Sequence, residues 1–161
     1  MVLNQQVKVA IDRHGVRAFV RKLRRVLKLG RRDFNVCFVD DARMTQLNGR
    51  YRKKPRPTDV LSFPWRTVAR VYAPRRSRAY ESRVMDPRTS GDHAGFLGDI
   101  VISVETARRN ARAARHPAAR EIRWLILHGV LHLLGYDHDT DQGEMRELEL
   151  ALRERLCRKK R

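Results

Sequence analysis

The stretch His128-Gly-Val-Leu-His132-Leu-Leu-Gly-Tyr-Asp-His138 contains three of the six histidines in the chain. His128 and His132 are four residues apart in an apolar run that favours a helix, and residues i and i+4 lie on the same face of a helix. Gly135 permits the chain to leave the helix, so the short segment after it can turn His138 back toward the same point. We therefore predict a helix that presents two imidazoles, with a third supplied by the loop that follows.

Three histidine nitrogens that converge in this way indicate a metal site. Three protein ligands leave a tetrahedral ion with one open position, which is typical of a catalytic zinc site rather than a closed structural one. A lone histidine on an apolar helix face is usually a packing residue. Three imidazoles buried together without a shared partner would leave several nitrogens unpaired, at about 1–3 kcal/mol each. We predict one Zn²⁺ per chain, bound by His128, His132 and His138.

The composition points to one strongly basic domain. With 161 residues the chain is long enough to bury a core. Lys and Arg number 36 against 18 Asp and Glu, which gives a formal net charge of +18. A field this positive favours a polyanionic partner, because each neutralised phosphate releases counterions. An arginine-biased proteome would also produce many surface arginines, so the charge alone does not identify the partner.

The two cysteines and the hydropathy pattern bear on the compartment. Cys37 and Cys157 are far apart and form neither a metal-spaced pair nor a disulfide framework, which favours a reducing compartment. The first residues lack the basic and apolar regions of a signal peptide, and no run of 18 apolar residues could span a membrane. We expect a soluble, cytoplasmic protein that has no membrane partner.

The periodicity of apolar residues predicts an α+β fold. The predicted strands are residues 2–11, 34–39, 60–63 and 98–103. The predicted helices begin after Asp12, at Asp40, at Ser103 or Glu105, at Pro117, and after a cap at Asp139 or Thr140. We predict a single domain over residues 1–161, in which a small four-stranded mixed sheet packs with about five helices. The metal site lies on one helix and the loop after it.

Residues 66–95 differ in character from the rest of the chain. They contain seven arginines and two prolines but few aliphatic residues, and they show no sustained period. This composition predicts a basic loop insert. It is either an inert insertion or a loop that grips the substrate.

The chemistry that such a site supports is hydrolysis, because zinc on three histidines can polarise an oxygen and lower the pKa of a bound water to about 7. In zinc proteases of the His-Glu-x-x-His type, the residue after the first histidine is the general base. Gly129 occupies that position here, which argues against peptide hydrolysis. Asp137, beside a predicted ligand, either orients an imidazole or caps the turn.

The pattern His-Gly-x-Leu-His-Leu-x-Gly-Tyr-Asp-His at residues 128–138 resembles the signature of the YbeY family, bacterial metalloendoribonucleases of ribosomal RNA maturation. The sequence matches it at every specified position. Two further stretches are similar to the family, namely Asn48–Arg52 together with Pro57–Pro64, and Gly98–Ser103. The resemblance covers nearly the whole chain outside residues 66–95, where the family usually has a shorter connection.

The resemblance implies zinc on the three histidines and a single-stranded RNA substrate. That substrate would be notably the 3′ region of 16S ribosomal RNA in the small ribosomal subunit, with a role in ribosome quality control. It also implies a catalytic role for Arg52, whose planar, always charged guanidinium could hold a scissile phosphate and the extra charge of its transition state. Our hypothesis is a zinc-dependent endoribonuclease.

Several alternatives stay open at this point. The protein could be a non-catalytic ribosome assembly factor in which the metal only stabilises the fold, or a metallopeptidase. For the nuclease, either water or the 2′-hydroxyl of the RNA could attack phosphorus. The sequence identifies neither the general base nor the oligomeric state.

Overall fold

The computed structural model describes residues 1–65, 95–136 and 143–157. Its strands are β1 (Val2–Asn4), β2 (Asp33–Val39), β3 (Val60–Pro64) and β4 (Phe96–Ser103). The helices in these residues are α1 (Arg13–Val26), α2 (Asp41–Arg52), α3 (Val104–Ala113), α4 (Ala118–Leu133) and α5 (Glu144–Cys157). The predicted α+β class, with four strands and five helices, is confirmed.

The four strands form one mixed sheet in the order β1-β2-β4-β3. β1 pairs in parallel with β2, β2 pairs in parallel with β4, and β3 runs antiparallel to β4. The inner strand β4 is covered on both faces, and Ile100, Val101 and Ile102 are at most 1% exposed. Burial on both faces explains the nearly continuous apolar run that predicted this strand.

Alternate side chains of the sheet enter two separate cores. On one face, side chains from β2 and β4 pack with α1, α4 and α5, and those sheet residues are Phe34, Val36, Phe38, Ile100 and Ile102. On the other face, Cys37, Val39 and Val101 pack with Met44 and Leu47 of α2. The helix that carries His128 and His132 and the helix that ends at Arg52 therefore lie on opposite faces of the sheet.

The first predicted strand, residues 2–11, is wrong in its length, since β1 ends at Asn4. The side chain of Gln6 donates to the carbonyl of Val9 and accepts from its amide, both at 2.9 Å. These two hydrogen bonds stabilise a turn between Gln6 and Val9. A longer strand would instead form backbone hydrogen bonds with β2 there. Val9 and Ile11 still pack against the core, whereas Val7 is fully exposed.

Side-chain caps fix the starts of the first three helices. The side chains of Asp12, Asp40 and Ser103 accept hydrogen bonds from the backbone amide three residues on, at 2.8, 2.8 and 3.3 Å. Ser103, rather than Glu105, is therefore the cap of α3. The predicted caps of the last helix, Asp139 and Thr140, lie outside the described residues.

The basic insert predicted at residues 66–95 also lies outside the described part of the chain, apart from Gly95 at its end. Among the described helices, none is both long and apolar enough to cross a membrane.

Asp99 is a buried carboxylate in the middle of the sheet, and its side chain points to the α2 side. It is 1% exposed, and its Oδ1 accepts a hydrogen bond of 2.9 Å from the amide of Asn35. Its Oδ2 has no hydrogen-bond partner. Burial raises the pKa of Asp99 to about 6, against the opposing effects of the Asn35 hydrogen bond and the N-terminal charge. Folding therefore favours the protonated form of Asp99.

This burial predicts a specific pH dependence. Because the folded pKa lies above the ordinary 3.8, the contribution of Asp99 to stability is present below about pH 4 and is lost as the pH rises to about 6. Asp99→Asn should therefore gain stability relative to the wild type across this window, by at most about 3 kcal/mol, and the difference should level off above it. Urea unfolding at a series of pH values from 4 to 7 measures it. The exposed control Glu154→Gln should show no such rise, and a pH-independent difference for Asp99→Asn would contradict the assignment.

Candidate metal centre

The structure brings two of the three predicted ligands together. The Nε2 atoms of His128 and His132, one turn apart on α4, are 3.0 Å from each other, and the ring planes are at 78°. In a tetrahedral zinc site with Zn–N bonds of about 2.0–2.1 Å, two ligand nitrogens are about 3.3–3.4 Å apart. The observed separation is within a few tenths of an ångström of that value, so the two imidazoles fit a shared ion.

The third predicted ligand, His138, lies outside the described residues, as does Asp137. Within residues 1–65, 95–136 and 143–157 there is no group of three or more His, Cys, Asp or Glu side chains suited to holding a metal ion. Ligation by His138 therefore stays a prediction.

The chain leaves helix α4 at Gly135, as predicted from the sequence. Gly135 has a φ of +98°, a conformation that favours glycine. The amide of Tyr136 donates to the carbonyl of Leu131 at 3.1 Å, and the amide of Gly135 donates to that of His132 at 3.0 Å. These two bonds form a Schellman motif. The chain thus leaves the helix directly after the turn that carries His132.

A buried carboxylate contacts the other nitrogen of His128. Nδ1 of His128 is 3.2 Å from Oε2 of Glu149, a residue of α5 that is 7% exposed. The second oxygen of Glu149 accepts a hydrogen bond of 2.6 Å from Arg153, one turn further along α5. The guanidinium carbon of Arg153 lies 4.4 Å from the centre of the Trp124 ring on α4. We call Trp124, His128, Glu149 and Arg153 the Glu149 array.

The array keeps Glu149 ionised. Burial alone would raise the pKa of this carboxyl, but the hydrogen bonds from His128 and Arg153 outweigh burial and hold the pKa below its ordinary 4.5. Glu149 is absent from the site predicted from the sequence, in which Asp137 is the candidate orienting carboxylate. A signal was present, because Glu149 falls on the inward face of α5, four residues after Met145 and three before Leu152.

Gly129, the residue after the first histidine, faces the sheet. A Cβ atom there would lie 2.7 Å from Cγ2 of Ile100, whose side chain is fully buried. The helix and β4 therefore leave no room for a side chain at this position. The absence of a protease-type glutamate thus has a packing cause, in addition to the chemical consequence inferred from the sequence.

Gly129→Ala tests this contact. In a solvent-exposed helix, alanine would be favoured over glycine by about 1 kcal/mol, but the clash with Ile100 should reverse the sign and destabilise the fold by about 1–3 kcal/mol. Chemical denaturation measures the change. In an Ile100→Ala background, where the clashing atoms are gone, the same substitution should cost less. Equal losses in both backgrounds would show that Ile100 is not the obstacle.

Arg52 is the last residue of α2, and its side chain is exposed. Next to it, the ring of Tyr51 contacts that of Phe63 with centroids 4.9 Å apart. A Cβ atom on Gly98, which pairs with β3 beside Phe63, would meet both Phe63 and Leu133 of α4. The C-terminal ends of α2 and α4 therefore lie at the same end of the sheet, on opposite faces. A catalytic role for Arg52 stays a prediction.

The fold and the paired histidines define a small α+β domain with a candidate metal centre where one helix ends. The sequence profile described as "Endoribonuclease YbeY" matches residues 1–157. The chain belongs to the endoribonuclease YbeY family, which confirms the resemblance predicted from three motifs. Membership places the protein among nucleases, which hydrolyse phosphodiester bonds.

Individual relatives agree with this assignment. The chain is 35% identical over 143 residues to an endoribonuclease YbeY of Syntrophus aciditrophicus, covering 89% of this chain and 78% of that protein. It is 38% identical over 125 residues to one of Nautilia profundicola, covering 78% and 73%. The solution structure of a Thermotoga maritima protein superposes with a TM-score of 0.59 at 25% identity, covering 97% of this chain and 89% of the other.

Proposed function

We propose that this protein is a zinc-dependent endoribonuclease that cuts single-stranded RNA. Its substrate would be the 3′ region of 16S ribosomal RNA in the small ribosomal subunit, during ribosome maturation and quality control in the cytoplasm. The observation that carries the proposal is the pair of Nε2 atoms 3.0 Å apart at the end of α4. Membership of the endoribonuclease YbeY family supports RNA as the substrate.

The donor set fits zinc. Neutral imidazole nitrogens suit this ion, and the carboxylate behind His128 is the kind of partner that histidine ligands commonly have. His128, His132 and His138 would hold one Zn²⁺ per chain. When bound, the ion would act as a Lewis acid on the scissile phosphate and lower the pKa of a nucleophile.

The surface around the end of α2 suits an RNA backbone. Its exposed basic residues are Arg50, Arg52, Lys53, Lys54 and Arg56. No acidic residue occurs between positions 42 and 58. This basic segment lies at the same end of the sheet as the C-terminal end of α4, and a strand that crossed that end of the sheet would run from the basic segment toward the histidines. Counterion release from its phosphates would favour binding.

Metal removal and ligand substitution test the proposal directly. Treatment with a chelator, or His132→Ala, should each lower cleavage of a single-stranded RNA by more than about 100-fold, because both remove the Lewis acid. Gel analysis of end-labelled RNA measures the rate, and readdition of zinc should restore only the wild type.

The exposed histidine at position 14, changed to alanine, is the matched control. Activity that survives both chelation and His132→Ala would contradict the proposal. Unfolding on chelation, combined with no cleavage by the zinc-loaded protein, would instead identify a structural metal.

Arg52→Ala tests the second part of the site. If the guanidinium stabilises the transition-state charge, cleavage at saturating RNA should fall by about 100-fold or more while the Kd for RNA changes little. Arg52→Lys should recover only part of the rate, because lysine lacks the planar fork. Arg56→Ala, which removes an exposed arginine from the same segment, should mainly weaken binding. A full cleavage rate in Arg52→Ala would exclude this residue from catalysis.

A further inference from the structure

The Glu149 array joins α4 and α5 through contacts between side chains of the two helices. Trp124 and His128 are one turn apart on α4, and Glu149 and Arg153 are one turn apart on α5. Arg153 contacts Trp124, and Glu149 contacts His128, so the two pairs meet side by side. The contact from Arg153 to Glu149 closes the array along α5.

We propose that Glu149 is a positioning residue that fixes the tautomer of His128, and that Arg153 holds Glu149 in place for this purpose. The proposal deepens the proposed function, on which it rests, by naming residues that prepare a metal ligand without touching the metal. Neither residue belongs to the motif at residues 128–138.

The chemistry of the two partners determines the tautomer. An ionised carboxylate only accepts hydrogen bonds, and a neutral imidazole has one donor nitrogen and one acceptor nitrogen. The 3.2 Å contact with Glu149 therefore requires the proton of His128 on Nδ1. Nε2 is left with its lone pair, and this is the nitrogen that faces His132. The opposite tautomer would place a proton where an ion must bind.

Arg153 reduces the free-energy cost of burying the carboxylate of Glu149. A carboxylate that is only 7% exposed is costly to bury unless a charged partner lies next to it. The hydrogen bond from Arg153 supplies that charge at 2.6 Å. Stacking on Trp124 limits where the guanidinium can lie, and a cation over an indole face is itself favourable.

The tautomer can be read without metal or RNA. The 161-residue chain, labelled with ¹⁵N at histidine and treated with a chelator, reports by NMR which nitrogen of His128 carries the proton. The wild type should show the proton on Nδ1. Glu149→Ala should move it toward Nε2, whereas Glu149→Gln, whose amide oxygen still accepts, should retain the wild-type tautomer. A merely structural role for Glu149 would lower the melting temperature without changing the tautomer.

Zinc affinity is the second readout, measured by competition with a chromophoric chelator. Glu149→Ala should weaken zinc binding by about 10- to 100-fold, as expected for loss of an orienting partner. Glu149→Gln and Arg153→Met should weaken it less. Glu147→Ala, an exposed glutamate on the same helix, should bind zinc like the wild type.

Several outcomes would overturn the proposal. One is a His128 that keeps its proton on Nδ1 in Glu149→Ala with unchanged zinc affinity, and another is a wild type that binds no zinc. If Glu149→Ala does not fold, a His128 that keeps its proton on Nδ1 in Arg153→Met, with unchanged zinc affinity, would also contradict the proposal. Failure of the nuclease proposal is distinguishable, since a protein with the expected tautomer and zinc affinity but no RNA cleavage would refute only that activity.

Discussion

The close approach of α4 to β4 is the contact on which the rest of the structure depends. At one end of it, Gly129 lets the helix lie directly on Ile100. At the other end, Gly98 lets β4 lie against both Phe63 and Leu133. These two contacts lie one turn apart near the C-terminal end of α4 and fix which face of the helix meets the sheet, and His128 and His132 lie on another face. The absence of a side chain at Gly129 and at Gly98 thereby helps to fix the direction in which the two histidines point.

The parts of the fold that the sequence predicts depend on interactions between residues that are close together in the chain. Helix caps such as Asp12 and Ser103 satisfy amides within one turn, and the spacing of His128 and His132 is a property of any helix. The predicted first strand is too long because the alternation of apolar and polar residues on which it rests does reflect burial. Val9 and Ile11 do pack on the core, but the side chain of Gln6 replaces the strand-to-strand hydrogen bonds there.

The parts of the site that were missed depend on how distant segments pack. Glu149 is 21 residues from His128, and only the docking of α5 on α4 reveals that they meet. The placement of Arg52 likewise follows from the strand order, which brings the ends of two helices on opposite faces to one end of the sheet. Periodicity identifies an inward-facing glutamate but does not identify its partner.

The antiparallel pairing of β3 with β4 has a consequence for how this family can vary. These neighbouring strands are joined through residues 65–95, a connection longer than the resemblance leads one to expect. The entropy of closing a flexible loop grows only with the logarithm of its length, so each doubling costs about 0.6 kcal/mol. A connection between β3 and β4 can therefore differ in length with little loss of stability. A longer or shorter connection there would leave the core residues of β3 and β4 unchanged.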